Sequence, residues 1–171
     1  MDTSLTESVF ARTLEPSAEN WRLYGPEILR LEHLCFGQAS YTESELERDC
    51  THTNTILAIL QDSTAAVADS AAKPATIGYG YALPDEDLPD AAYLSSIAID
   101  PQFQGRGLVG RLLGLLEEQI KLTGRYTYLT LDAAIENGFA DSINRHYHER
   151  VIESNDHDSQ WGRQRYFKIA L

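Results

Sequence analysis

One stretch of the chain, residues 93–113 (YLSSIAIDPQFQGRGLVGRLL), constrains the fold more than any other. It begins as an apolar strand that ends at Asp100-Pro101, passes through a loop with Gly105 and Gly107, and continues as a leucine-rich helix. Backbone amides at the start of a helix have no partners within the helix, and the helix dipole places partial positive charge there. Glycines remove the Cβ atoms that would keep an anion away from the backbone. The stretch therefore predicts a binding site for a phosphorylated ligand.

Two glycine patterns overlap in this loop and predict different ligands. Gly105-x-Gly107-x-x-Gly110 matches the dinucleotide-binding fingerprint, and Asp132 stands near the position of a ribose-binding acid, ~20 residues further on. In that fingerprint the first glycine directly follows the strand, whereas residues 100–104 intervene here. Nothing upstream of the stretch predicts the other parallel units of a dinucleotide-binding domain. This interpretation is therefore the weaker of the two.

The second pattern is Gln102-x-x-Gly105-x-Gly107, set between the strand AYLSSIAIDP and the helix LVGRLLGLLEEQIK. This arrangement resembles the acetyl-CoA motif of the GNAT-type N-acetyltransferase superfamily, and the resemblance extends more weakly over most of the chain. It implies an α/β (α+β) fold in which helices flank a mixed, mostly antiparallel central sheet. The implied order is β-α-α-β-β-β-α-β-α-β, with a further short strand open between residues 151 and 163. It also implies a single domain over residues 1–171.

The resemblance implies how this motif binds acetyl-CoA. The backbone of the strand contacts the pantetheine arm and the acetyl end, and the amides of the loop surround the pyrophosphate. Carried over by position, the strand residues are Ile97, Ala98 and Ile99, and the loop residues are Gln104, Gly105, Arg106, Gly107, Leu108, Val109 and Gly110. Val109 departs from the family pattern, which commonly has another glycine there.

A general acid for the leaving thiolate is also implied by the resemblance, as a tyrosine on the helix after the fifth strand. Tyr147, in the segment INRHYHERV, stands at this position. The match to the family pattern A-x-x-x-Y-x-x-x-G-F is partial, because Ile143 replaces the small residue and Val151-Ile152 replaces Gly-Phe. We predict Tyr147 as the general acid. The alternative is a core aromatic residue on an amphipathic helix.

The sequence does not assign the general base. Thr130 stands where several relatives place a glutamate on the fifth strand, and a threonine cannot serve as the base. The other candidates are Glu32, His33, Asp132, His146 and His148, and a relay through water is equally compatible with the sequence. A base must reach the amine before its pKa matters, so each candidate taken alone is more simply explained as a solvated surface residue.

Composition restricts the partners. The formal net charge is −12, with 14 Lys and Arg against 26 Asp and Glu, which argues against nucleic acid and anionic membrane as partners. The charge suits a cationic acceptor, and it equally suits solubility or a salty cytoplasm. Apolar runs fall short of the ~20 residues of a membrane span, and the N-terminus lacks the features of a secretory signal, so we expect a cytoplasmic protein. Cys35 and Cys50 follow no metal-ligand spacing, so we expect buried free thiols and no metal site.

Hydrophobic periodicity predicts the secondary structure. The predicted strands span residues 9–14, 55–60, 75–83, 93–99, 126–131 and 165–171. Helical spacing begins at Asn20, and Gly25-Pro26 predicts a break after a short first turn, so the first long helix should run from Pro26 to Phe36. The other predicted helices run from Thr42 to about Cys50, over the leucine repeat with Glu117 on its solvent side, and from Gly138 to about Glu149. Residues 61–74, rich in Ala, Ser and Asp, predict a flexible insertion in a hairpin.

These observations together predict an acetyl-CoA-dependent N-acetyltransferase that moves an acetyl group to a primary amine of a small molecule or a protein N-terminus. The alternative is a catalytically inactive acyl-CoA-binding module of the same fold, because Thr130 is not an acid and the match around Tyr147 is partial. The sequence leaves homodimer formation, the acceptor and the acyl-chain preference open.

Overall fold

The computed structural model describes residues 8–64 and 73–171. The strands are β1 (Val9–Leu14), β2 (Ile56–Asp62), β3 (Ala75–Pro84), β4 (Ala91–Ile99), β5 (Tyr128–Ala134), β6 (Val151–Ser159) and β7 (Gly162–Ala170). The helices that lie wholly within the described residues are α1 (Ala18–Phe36), α2 (Glu43–Thr51), α3 (Leu108–Leu122) and α4 (Phe139–Tyr147). The strands form a mixed, mostly antiparallel sheet in the order β1-β2-β3-β4-β5-β7-β6, flanked by helices, which confirms the predicted fold class.

Two compact units divide the chain. The first comprises the described residues through Tyr81 together with Ser96–Leu116, and the second comprises Ala82–Ser95 with Glu117–Leu171. No described helix is long and apolar enough to span a membrane.

In the first unit, α1 runs unbroken through Gly25-Pro26, so the predicted break at these residues is wrong. Gly25 lies against the ring of Trp21, where a Cβ atom would come within 2.7 Å of the indole. Pro26 removes one helical hydrogen bond at a cost of ~3 kcal/mol in a helix interior. The buried side chains that follow, Ile28 and Leu31, hold this part of the chain in the core as a helix.

The capping box predicted at the start of α2 is confirmed. The Thr42 hydroxyl accepts a hydrogen bond from the Glu45 amide, and the Glu45 carboxylate accepts one from the Thr42 amide at 2.8 Å. The hydrogen bond from the Thr42 amide, followed by one that the Thr42 hydroxyl donates to the same carboxylate, lowers the pKa of Glu45. Because the box satisfies amides that the helix itself cannot, it begins α2 at the predicted residue.

β1 and β2 form an antiparallel pair that runs from Val9 opposite Asp62 to Leu14 opposite Leu57. β2 therefore extends through Asp62, two residues into the predicted insertion, and Gln61 is buried within it. The greater part of that insertion, residues 65–72, lies outside the described residues.

β3 presents large side chains to one face of the sheet and glycines to the other. Tyr79 and Tyr81 are fully buried and stack with their ring centroids 6.4 Å apart. A Cβ atom at Gly80 would lie 3.0 Å from the side chain of Leu116 in α3. Gly80 therefore lets α3, the helix that follows the glycine loop, approach β3 closely.

In the second unit, β5 is paired on both sides. Its parallel ladder joins Tyr128–Thr130 to the first three residues of β4, and it runs antiparallel to β7 along its whole length. The strand ends at Ala134, three residues later than predicted, so Asp132 lies within β5 and not after it. β6 has nine residues, more than the short strand left open by the sequence, and pairs antiparallel with β7.

Glu117 departs from the predicted pattern of α3, because it is 8 % exposed and does not face solvent. Its carboxylate accepts hydrogen bonds from the Arg150 guanidinium at 2.5 and 3.0 Å and forms an ion pair with Lys121 at 2.6 Å. The bonds from Arg150 hold the pKa of Glu117 at about 2. Burial of this charge is tolerated because both oxygens are paired.

Candidate functional site

The loop after β4 is shaped by its own side chains. The Asp100 carboxylate accepts a hydrogen bond from the Gln102 amide at 3.0 Å and so caps a short 3₁₀ turn. The Gln104 side-chain amide donates to the Ile99 carbonyl oxygen at 2.9 Å. These two bonds fold the chain back on the end of β4 before α3 begins, which fixes the position of the glycines.

Both glycines of the motif adopt a left-handed backbone conformation. The φ angle is 75° at Gly105 and 73° at Gly107, a region that costs other residues roughly 1–2 kcal/mol. No described atom lies within 4 Å of the place that a Cβ atom would occupy at either residue. Glycine is therefore required here by the path of the backbone, and the space beside the loop is not taken by the core.

The amides from Gly105 to Gly110 donate no hydrogen bond to any acceptor among residues 8–64 and 73–171. The neighbouring amides do have acceptors, since Gln104 donates to Pro101 and Arg111 donates to Gly107, each at 3.4 Å. The first turn of α3 carries no acidic residue. Six successive unpaired amides at the positive end of a helix form a cradle that suits a phosphate or pyrophosphate group.

Two arginines add positive charge near this cradle in a chain whose net charge is −12. The exposed Arg106 donates to the Gln102 carbonyl oxygen at 3.2 Å and lies 5.2 Å from the centroid of the Phe103 ring. Arg111 donates to the Val9 carbonyl oxygen at 3.0 Å. Of the other predicted loop residues, Leu108 is buried in the core, and Val109 and Gly110 are half-buried.

The predicted strand residues of β4 differ in the direction of their backbone N–H and C=O groups. The carbonyl oxygens of Ser96 and Ala98 lie beside Gly80 and Gly78 of β3, and Asp100 donates to Ile77 at 2.8 Å. In an antiparallel pair, alternate residues direct both backbone groups to the same neighbour. The N–H groups of Ile97 and Ile99 therefore point to the opposite edge of β4, whereas Ala98 faces β3.

The carbonyl oxygen of Ile99 already has two donors. It accepts the Gln104 side chain and, at 3.3 Å, the thiol of Cys35 on α1. Burial, followed by the nearby charge of Asp100, raises the pKa of this thiol, so it is a neutral group at the end of β4. Both cysteines are free, and Cys50 is buried as predicted, whereas Cys35 is only half-buried.

Glu32, a candidate base, is 1 % exposed, so its interpretation as a solvated surface residue is wrong. Its carboxylate accepts hydrogen bonds from the hydroxyl of Tyr79 on β3 and from the hydroxyl of Ser96 on β4, the latter at 3.2 Å. The neighbouring candidate His33 is exposed. The first unit thus contains the loop, the outward-directed amides of Ile97 and Ile99, and the buried carboxylate of Glu32.

In the second unit, Tyr147 is 1 % exposed, and its hydroxyl has no hydrogen-bond partner of good geometry among the described residues. The ring packs against His146, with centroids 4.5 Å apart, and the Arg150 guanidinium lies 5.0 Å from its centroid. Burial and then the charge of Glu117 raise the pKa of Tyr147, so the hydroxyl keeps its proton at neutral pH.

The remaining base candidates also lie in the second unit. Thr130 is buried and donates to the Asp85 carboxylate. Asp132 accepts a hydrogen bond from the Tyr93 hydroxyl at 3.1 Å and pairs with the Nε2 atom of His157 at 2.7 Å. That hydrogen bond raises the pKa of His157, a residue that the sequence did not single out because β6 has no motif. His146 and His148 are exposed.

No group of three or more His, Cys, Asp or Glu side chains in the described part of the chain could hold a metal ion. The mostly antiparallel sheet also lacks the repeated parallel units of a dinucleotide-binding domain. Asp132, the residue proposed for the ribose in that interpretation, is engaged by His157 and Tyr93.

Comparison with solved structures places this fold among acetyltransferases. The chain superimposes on the ribosomal-protein-S18-alanine N-acetyltransferase of Escherichia coli with a TM-score of 0.63 and 17 % identity, covering 95 % of this chain and 93 % of the other. A chain of the NatC complex bound to Gag peptide and CoA gives 0.68 and 15 %, with coverage of 96 % and 99 %. The spermidine/spermine N-acetyltransferase of Vibrio cholerae gives 0.62 and 15 %, with coverage of 98 % and 95 %.

A sequence match then identifies the family. The model of the acetyltransferase (GNAT) family matches residues 26–150, which include the glycine loop, β4 and α4. The chain therefore belongs to the GNAT acetyltransferase family, as its motif predicted. No match was found among curated protein sequences.

Proposed function

We propose that the protein is an acetyl-CoA-dependent N-acetyltransferase that acts on a primary amine of a small molecule or a protein N-terminus. The observation that carries the proposal is a row of six amides, from Gly105 to Gly110, that have no acceptor among the described residues at the start of α3 in a chain of this family. Similar structures belong to proteins named as N-acetyltransferases of ribosomal-protein-S18 alanine and of spermidine or spermine.

The residues of the first unit fit the coenzyme. The amides of Gly105–Gly110 would hold the pyrophosphate, with Arg106 adding charge, and the outward amides of Ile97 and Ile99 would bind the pantetheine arm and the acetyl carbonyl oxygen. Ala98 would contribute through its side chain alone, because its backbone faces β3. When bound, acetyl-CoA supplies an acetyl group that is activated as a thioester.

The chemistry requires three proton movements around the transfer. The acceptor ammonium loses one proton so that its nitrogen lone pair can attack the carbonyl carbon. The nitrogen loses a second proton to water as the amide forms, and the sulfur takes a proton as the C–S bond breaks. An amide of Ile97 or Ile99 stabilises the negative charge that develops on the carbonyl oxygen. Tyr147 donates the proton to the sulfur, a role that suits a hydroxyl protonated at neutral pH.

Thermal unfolding with acetyl-CoA, coenzyme A and NAD tests the coenzyme. A ligand at a hundredfold excess over its dissociation constant stabilises the folded state by ~2.7 kcal/mol. We expect a shift with acetyl-CoA and coenzyme A, and none with NAD. A shift with NAD alone would overturn the proposal.

Acetyl transfer is then measured as coenzyme A release with spermidine, with a peptide that has an N-terminal alanine, and with a peptide whose N-terminus is blocked. We expect release above background hydrolysis with at least one free amine and none with the blocked peptide. Binding of acetyl-CoA without release for a broad panel of amines would identify an inactive acyl-CoA-binding module instead.

A further inference from the structure

Glu32 on α1 is a buried carboxylate without a cationic partner among the described residues. The nearest arginine along α1, Arg30, forms ion pairs with Glu27 and Asp100. Burying an ionised carboxylate costs several kcal/mol unless hydrogen bonds or a counter-charge compensate. Packing alone does not explain a glutamate at this position, because an apolar side chain of similar size would avoid that cost.

Hydrogen bonds to both oxygens take the place of a cation. Oε1 accepts the backbone amide of Tyr41 at 2.9 Å, and Oε2 accepts the hydroxyls of Tyr79 and Ser96. The two hydroxyl oxygens lie 3.0 Å apart. Oε2 is therefore the end of a connected chain of hydroxyl groups that reaches β4 at Ser96.

A second buried carboxylate in the same unit, Asp49, provides a comparison, because it is bonded to a tyrosine and is also paired with a cation. Asp49 on α2 accepts the hydroxyl of Tyr81 at 3.2 Å, two residues along β3 from Tyr79. Asp49 also pairs with Arg48 at 2.8 Å, so its charge is compensated. Glu32 has no such cation, and its hydroxyl chain leads to Ser96, which directly precedes Ile97 and its outward amide.

We propose that Glu32 receives the proton of the acceptor ammonium through the hydroxyl of Ser96. The inference rests on the proposed function and names the base that the sequence left open. The ammonium N–H bond breaks as the Ser96 oxygen takes that proton, and the Ser96 hydroxyl proton passes to Oε2 of Glu32. The nitrogen keeps the electron pair, and the proton on Glu32 leaves to solvent after turnover. The Tyr79 hydroxyl remains bonded to the same oxygen and holds the carboxylate in place.

The test compares Glu32→Gln with Asp49→Asn, two variants that each remove one buried negative charge bonded to a β3 tyrosine. Glutamine keeps the shape and an acceptor oxygen but cannot take the proton. For a cationic amine we expect kcat to fall about a hundredfold in Glu32→Gln and to stay within about twofold in Asp49→Asn. The dissociation constant of acetyl-CoA, measured by calorimetry, should change less than about twofold in both.

A second acceptor separates proton transfer from structure. Trifluoroethylamine is neutral at the assay pH and needs no base before it attacks, so the loss in Glu32→Gln should shrink to about tenfold or less. A purely structural role of Glu32 would lower kcat equally for both amines, or would lower thermal stability while kcat is kept. Either result overturns the inference.

Ser96→Ala provides an independent variant in case Glu32→Gln does not fold. It removes the relay hydroxyl and leaves the carboxylate bonded to Tyr79 and Tyr41. We expect a loss of kcat with the cationic amine comparable to that of Glu32→Gln, and unchanged activity would refute the relay. Absence of acetyl transfer by the wild-type protein would instead refute the proposed function itself.

Discussion

The two ends of α3 differ in whether their polar groups have hydrogen-bond or ion-pair partners. At its start, in the first unit, six amides from Gly105 to Gly110 have no acceptor among the described residues, and the side chains around them are exposed or half-buried apart from Leu108. Near its end, in the second unit, both oxygens of Glu117 are bound by Arg150, with Lys121 as a further partner. We call the start of α3, residues 105–110, its open end, because the amide donors there have no acceptor among the described residues. We call the segment around Glu117 its closed end, because the carboxylate there is paired with cations.

This difference in pairing indicates which polar groups contribute to ligand binding and which contribute to the stability of the fold. A polar group that is already paired contributes to stability and has little remaining hydrogen-bonding capacity for a ligand. Unpaired amide donors at an accessible helix start can instead bind and stabilise an anion. We therefore expect variants at the open end to change ligand affinity and variants at the closed end to change the free energy of unfolding.

Tyr147 is an exception to this comparison, because its hydroxyl lies in the second unit, buried and without a hydrogen bond of good geometry among the described residues. Tyr147→Phe removes no hydrogen bond of good geometry, so stability should change little. If the hydroxyl donates the proton to the sulfur, kcat should fall about 10²- to 10³-fold with the affinity for acetyl-CoA unchanged. Steady-state kinetics and thermal unfolding of the same preparation measure both.

Tyr126→Phe is the matched control, since the Tyr126 hydroxyl is also buried without a partner in the described part of the second unit. It should leave kcat within about twofold, because no role in the transfer is assigned to it. Equal kcat in Tyr147→Phe and wild type would make Tyr147 a core aromatic residue only.

Glu117→Gln tests the closed end. The variant leaves Arg150 and Lys121 without their carboxylate, and both cations remain partly hydrated, so we expect a loss of about 2 kcal/mol in the free energy of unfolding at pH 7. Denaturant titrations at pH 7 and pH 3 measure it.

The pH dependence of this loss has a definite sign. Hydrogen bonds from Arg150 lower the pKa of Glu117 from 4.5 to about 2 in the folded state. The stabilisation is therefore fully present above pH 4.5 and is lost as the pH falls toward 2. The difference between wild type and variant should shrink at pH 3, and a constant difference would contradict the assigned ion pair.

The sequence predicted the open end of α3 better than the closed end, for a physical reason. The left-handed glycines, the helix start and the capping box at Thr42 and Glu45 depend on neighbours within a few residues. Glu117 is paired with Arg150, which lies 33 residues away along the chain. The hydrophobic periodicity of a single helix carries no information about such a distant partner. The predicted solvent position of Glu117 was therefore wrong.

Distance along the chain explains the other errors as well. Glu32 meets Ser96 across 64 residues, and Asp132 meets His157 across 25, so neither pairing is visible in a local motif. At Pro26 the local rule predicted a break, and the buried side chains that follow overrode it. The family match and the fold were within reach of the sequence, but the partners of its buried charges were not.

Gly107→Ala tests the open end. The left-handed φ of 73° at Gly107 costs alanine roughly 1–2 kcal/mol, and the new methyl group would enter the space beside the unpaired amides. We expect the dissociation constant of coenzyme A to rise about tenfold. Calorimetric titration measures it, and an unchanged affinity would show that this loop does not hold the coenzyme.

Gly114→Ala is its control on the same helix. Gly114 lies inside α3, its φ is not positive, and no described atom lies within 4 Å of an added Cβ. Alanine there should stabilise the protein by about 0.5–1 kcal/mol and leave the affinity unchanged.

The smallest expected effect on stability is for the pair of Asp132 and His157, a second pair of bonded polar side chains in the second unit. The hydrogen bond that His157 donates to the Asp132 carboxylate raises the pKa of His157 above 6.5. A raised pKa means that the stabilisation is present below pH 6.5 and is lost as the pH rises through the folded-state value. Because the His157 side chain is still 40 % exposed, Asp132→Asn should cost only a few tenths of a kcal/mol at pH 6. An NMR titration should show the His157 pKa moving down toward 6.5 in the variant, and an unchanged titration would mean that the pair does not form in solution.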